Sequence, residues 1–129
     1  MADPDYGHRS RVDKLGVKPG MRVHVSGAGE RLDELLPELA ERDAAHVDRD
    51  ADIVFLRVDS CAELDGALAA WAKVTERGAL WIVYPRGVAA VTQDDVLAAG
   101  RALGLLDVKV IRFSDTHTAL RFVAPRACR

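Results

Sequence analysis

Two stretches constrain the fold of this chain more than any others. Residues 51–58 (ADIVFLRV) and 79–84 (ALWIVY) are almost continuously apolar over strand-like lengths. A strand reads this way when it is buried on both faces, as a central strand of a parallel sheet must be. The segment between them has helical spacing instead, with Leu64, Leu68, Trp71 and Val74 as a buried stripe. Ser60 and Glu63 form an S-x-x-E capping box at its start, and Gly78 supplies a stop at its end. Strand, helix, parallel strand is a βαβ unit, so a sheet covered by helices on both faces is expected.

The rest of the chain extends that unit. Lys18-Pro19-Gly20 marks a turn, and residues 11–17 before it have room for one helical turn. Residues 21–26 alternate, with Met21, Val23 and Val25 on one face and Arg22, His24 and Ser26 on the other. That polar face is unusual for a central strand and predicts a thinly covered side or a partner contact. Residues 30–42 carry Leu32, Leu35, Leu36 and Leu39 at helical spacing, with a break or kink expected at Leu36 because Pro37 follows it. Residues 44–48 allow only a very short strand. Thr92 and Asp95 cap a helix over 93–103 that Gly104 ends, and Trp71 and Trp81 are expected to fill the core. Residues 107–113 and 119–123 alternate around a turn and predict an antiparallel hairpin at the sheet edge. The order is therefore βαββαβαββ. A single α/β domain is expected over 13–124, with tails at 1–12 and 125–129.

Bulk properties exclude several functions. With 18 basic and 20 acidic residues and a net charge of −2, the chain has no basic patch for nucleic acid. No apolar run spans a bilayer, and the opening MADPDYGHRSR lacks the apolar region of a secretory leader. A cytoplasmic protein without membrane contact is the expectation. Cys61 and Cys128 have no disulfide or metal spacing, and the four histidines share no ligand pattern, so no metal is expected.

The runs KLGVKPGMRVHVSGAGE, ADIVFLRV with ALWIVYP, and VTQDDV with GLLDVKV carry a resemblance. They resemble the class I methyltransferase fold, a three-layer Rossmann-like, mostly parallel sheet with an antiparallel C-terminal strand. More closely, they are similar to a short bacterial family known as a domain of unknown function. The resemblance covers roughly 14–123 and implies a truncated version of that fold. Between Asp48 and the strand starting at Ala51 there is no room for the third strand of the full fold, whose following loop helps enclose adenine.

Ligands of such sheets bind beyond the carboxyl ends of the strands. That edge collects Ser26, Gly27 and Gly29, then Asp48, then Asp59, Ser60 and Cys61, then Pro85 and Arg86. Gly27 and Gly29 would let a backbone approach a cofactor, and Asp48 is spaced to accept ribose hydroxyls. The resemblance implies an acid two positions before the first glycine, to meet the amino group of S-adenosylmethionine. Val25 stands there, and Arg31 stands where a third glycine belongs. Glu30 at the helix start opposes a dinucleotide pyrophosphate, which disfavours a nicotinamide oxidoreductase. Asp59 is a candidate base, with Cys61 beside it in a first helical turn that would lower its pKa. His117, next to Asp115 and Thr116 in the hairpin turn, is a second proton-transfer candidate. A non-catalytic domain without cofactor is expected, acting through a protein partner, a homodimer or a small ligand. Arg22 and His24 are its candidate contacts. The alternative is an S-adenosylmethionine-dependent methyltransferase with a reduced or partner-completed pocket.

Overall fold

The computed structural model describes residues 11–27 and 35–125. In chain order the elements are α1 (Arg11–Lys14), β1 (Arg22–Gly27), α2 (Leu35–Glu41), β2 (Ala45–His46) and β3 (Ala51–Arg57). A 3-10 helix (Cys61–Gly66) then runs into α3 (Ala67–Trp71). β4 (Val74–Pro85), α4 (Gln93–Ala102), β5 (Leu106–Arg112) and β6 (His117–Val123) complete the fold. The strands form one six-stranded sheet ordered β2-β1-β3-β4-β6-β5. β2, β1, β3 and β4 are parallel, whereas β6 runs antiparallel to both β4 and β5. This is the expected α/β architecture with its antiparallel edge hairpin. Beyond β2 the described residues add no third strand. The tails at 1–10 and 126–129 and the start of the helix expected from residue 30 lie outside the described residues.

Two apolar layers hold the sheet. On one face Leu15, Val17, Leu35 and Leu39 from the α1 and α2 side pack on Val23, Phe55 and Trp81. On the other, Ala67, Ala70 and Val96 from α3 and α4 pack on Val54, Leu80, Ile82 and Phe122. β3 and β4 are buried on both faces, which explains their apolar runs. The Trp81 indole N–H donates to the Leu15 carbonyl at 3.1 Å, and Arg42 pairs with Asp13, so α1 is fastened to the sheet and to the end of α2. Pro37 does not break α2: it is the third residue of the described helix, which continues to Glu41.

The segment between β3 and β4 corrects the sequence reading most. Ser60 makes no side-chain cap bond, and Glu63 accepts from the Asp59 amide one residue further back, so the expected capping box is absent. The opening is a 3-10 helix, and α3 docks through the small residues Ala67 and Ala70 while Leu68 is 64% exposed. Trp71 is only partly buried. Gly78 is not a helix stop but part of β4. Ala51 pairs with Val74 and Ile53 with Ala79, so two steps on β3 face five on β4. A Cβ at Gly78 would lie 2.5 Å from Val74 Cγ1 and 2.7 Å from the Asp52 carbonyl, so this bulge requires glycine. By contrast, Thr92 and Asp95 form the expected reciprocal capping box, and α4 ends before Gly104 at φ +79°.

Candidate functional site

The sheet's carboxyl edge is shaped first by the link from β2 to β3. His46 is level with Val23 on β1, and Val23 is level with Ile53 on β3. The chain must therefore cross over β1 and step back to Ala51 within residues 47–50. Two strand spacings across and two residues back amount to about 12 Å, within the roughly 17 Å that five extended steps can span. A helical crossover would need about a dozen residues. Asp43 (φ 61°) and Asp50 (φ 55°) take left-handed backbone on either side of β2, a conformation that Asp tolerates.

This short return fixes several sequence-predicted residues. Val47 packs against the α3–α4 core layer, and its carbonyl lies 2.7 Å from His24 Nδ1. His24 stacks on His46, with ring centroids 5.8 Å apart and planes within 6°. The polar face of β1 is thus partly roofed by the crossover, although Arg22 stays exposed, its amide bonded to Asp52 at 2.9 Å. Asp48 rides the return itself. Its carbonyl accepts from Lys73 Nζ at 3.0 Å, and Lys73 immediately precedes the amino end of β4. Gly27 lies four residues beyond the level of His46, about 13 Å along the strand. The sheet does not bring Asp48 level with Gly27, and Gly29 lies outside the described residues.

Further along the edge, Gly27 is in register with Arg57, the last residue of β3. Arg57 is 5% exposed, and its Nε and Nη2 both donate to Asp59 Oδ1, at 3.1 and 3.0 Å. Asp59 is therefore held by a buried guanidinium. His117 opens β6 opposite Pro85, with its Nδ1 2.7 Å from the Thr116 hydroxyl. β4 runs between β3 and β6, which separates the strands carrying Asp59 and His117 by roughly 10 Å. The sequence pattern shows both residues at the edge but gives no sign of the Arg57–Asp59 pair or of the stacked histidines. Among the described residues, no cluster of three or more His, Cys, Asp or Glu side chains is arranged to hold a metal.

Cys61 is the reverse of an activated thiol. Its Sγ donates to Asp95 Oδ2 at 3.2 Å, and that bond, with burial and the carboxylate's charge, raises the thiol pKa. Asp95 is lowered, first by the Thr92 amide that caps onto it and then by the Cys61 thiol. A lowered folded-state pKa stabilises the fold above the ordinary carboxylate range, and the contribution is lost as pH falls through the folded value. At neutral pH Cys61 will therefore alkylate with iodoacetamide more slowly than an unstructured cysteine, and Asp95→Asn will speed it. Mass spectrometry on a Cys128→Ser background reads this directly. Equal rates before and after Asp95→Asn would refute the assignment.

The edge also holds a cleft of about 470 Å³ between the end of β4, the start of α4 and the start of β6. Pro85, Val88 and Val91 give it apolar walls, and Tyr84, Arg86, Gln93 and Thr118 give it polar groups. Burial raises the Tyr84 pKa, opposed in part by Arg86, so the phenol keeps its proton. Tyr84, Gln93 and Thr118 were not legible as a group, because three separate elements bring them together.

Neither a family model nor a curated protein matches the chain. Solved structures do. The fold is similar to a SAM-dependent methyltransferase from Aquifex aeolicus, at 13% identity and a TM-score of 0.62 over 93% of this chain and 93% of that one. It is similar to a TehB-like SAM-dependent methyltransferase from Corynebacterium glutamicum, at 16% identity and a TM-score of 0.57 over 89% and 86% of the two chains. Fibrillarin/Nop5p, solved as a complex, gives 13% identity and a TM-score of 0.53 over 88% of this chain and 79% of that one. At these identities the likeness is one of fold. The chain has the Rossmann-like α/β fold of the methyltransferases.

Proposed function

We propose that this domain keeps the methyltransferase fold without methyl transfer and works as a binding module, acting through protein contacts or on a small ligand. The observation that carries the reading is the crossover at residues 47–50. It takes the place of a full strand with its flanking helices, and it draws Asp48 back from the edge where a ribose would lie. Val25, at the position of the acid that would meet the cofactor's amino group, is packed against the α1–α2 core. Arg57 and Asp59 close on each other at the end of β3. These residues do not fit S-adenosylmethionine.

Surfaces that suit a protein partner support the same reading. Edge strand β5 leaves Leu106, Val108 and Val110 about half exposed, and the half-exposed Arg22 lies beside the roofed face of β1, ion-paired with Asp52 at 3.9 Å. The test is a calorimetric titration with S-adenosylmethionine. The expected result is no saturable heat up to millimolar cofactor. Micromolar binding accompanied by methyl transfer to any acceptor would establish the alternative, a methyltransferase whose pocket is completed by a partner.

A further inference from the structure

The cleft at the end of β4 has chemistry that the reading above does not use. Arg86 is the one charged side chain among its lining residues. The Arg86 guanidinium is anchored through Nη2 to the Asp115 carbonyl, and its backbone amide donates to the Thr116 carbonyl at 2.8 Å. Arginine carries five N–H donors in a planar fork, so donors remain after that anchor. Thr118 is 8% exposed and lines the cleft, yet no described residue hydrogen-bonds its hydroxyl. That hydroxyl still reaches the solvent of the cleft, so a bound ligand can take its hydrogen bond in place of water. Among the described residues the Tyr84 hydroxyl reaches only Gln93 Oε1, at 3.4 Å, which leaves the Gln93 amide N–H groups to donate. Three hydroxyls (Tyr84, Thr118 and Thr92, the last engaged in capping α4), an amide and a guanidinium thus border one space, with no carboxylate among the lining residues.

We propose that this cleft is a binding site for a small organic carboxylate, held by Arg86 and the Thr118 hydroxyl with its apolar body against Val88 and Val91. The guanidinium fork matches a carboxylate in two parallel bonds, and the hydroxyl supplies a further donor. The apolar wall favours an organic acid over a bare inorganic anion, and the volume lies in the range of small-molecule pockets. The proposal rests on the reading of the domain as a binding module. It is separable from that reading because the cleft shares no residue with Gly27, Asp48 or Asp59.

The test is a two-dimensional ¹H–¹⁵N titration of the full chain with sodium benzoate, compared with benzamide and with inorganic phosphate. Benzoate is expected to shift amides in residues 84–93 and 117–118 and to saturate, with benzamide binding about tenfold more weakly. Arg86→Gln, on an exposed turn, should weaken benzoate about tenfold. Thr118→Val, which keeps the side-chain shape, should weaken it several-fold. Shifts confined to other parts of the chain, equal binding of benzamide, tighter binding of phosphate or an unchanged affinity in Arg86→Gln would each overturn the proposal. Titration of the same sample with S-adenosylmethionine shows separately whether the binding-module reading fails.

Discussion

Asp59→Ala is expected to destabilise the domain by about 3 kcal/mol, although Asp59 lies outside both core layers. The cause is what the substitution leaves behind. Arg57 is 5% exposed, and Asp59 accepts two of its N–H bonds. Without the carboxylate, a guanidinium that cannot deprotonate stays charged at the carboxyl edge of a central strand. The Asp59 side chain is 30% exposed, which places the expected cost at the lower end of the range for breaking a buried pair. Arg57→Met should behave differently. It fills the same volume, and the carboxylate it strands can turn to water, so its cost should stay within about 1 kcal/mol. Arg57→Met combined with Asp59→Ala should recover most of the loss from Asp59→Ala alone. Urea denaturation of the three variants measures the cycle. If Arg57→Met proves as damaging as Asp59→Ala, the pair is not the source of the cost.

This pair also shows where sequence patterning stops. Asp59 was legible at the edge because a buried apolar run ends just before it. Arg57 was hidden inside that run, since one charged residue in ADIVFLRV reads as the end of a strand. The helix between β3 and β4 failed for a related reason. Leu64, Leu68, Trp71 and Val74 have the right period, but periodicity does not reveal that Ala67 and Ala70 allow closer docking. Nor does it show that the chain returns to strand at Val74. Gly78 and Gly104 both looked like helix stops, and only Gly104 has the positive φ of one. Local rules held in the Thr92–Asp95 box and the β5–β6 hairpin, but not at Ser60–Glu63, where Glu63 accepts from the Asp59 amide instead. The length of the link at 47–50 was legible by simple counting. Its path over His24, and the consequent withdrawal of Asp48, depended on strand register that no local pattern contains.

Trp81→Ala should cost more, about 4 kcal/mol, a large part of the roughly 5–15 kcal/mol that holds a domain of this size folded. Trp81 is fully buried on β4, in the layer that contains Phe55, Leu15 and Val17, and it makes two separable contributions. One is volume: removing the indole opens a cavity between a rigid sheet and the α1–α2 layer. The other is its N–H, which donates to the buried Leu15 carbonyl at 3.1 Å. Trp81→Phe removes the donor while keeping most of the apolar volume, so it should cost about 1–2 kcal/mol from the stranded carbonyl and the smaller ring. The thermal midpoint should fall by roughly 15 °C in Trp81→Ala and by about a third of that in Trp81→Phe. Hydrogen exchange separates the two contributions. In Trp81→Phe, faster exchange should concentrate in residues 11–17, because Trp81 fastens that segment to the sheet. In Trp81→Ala it should spread to β3 and β4. A Trp81→Ala variant within 1 kcal/mol of the parent by urea denaturation would mean that α1 and α2 close over the gap, and that the sheet face they cover is not packed as a rigid core.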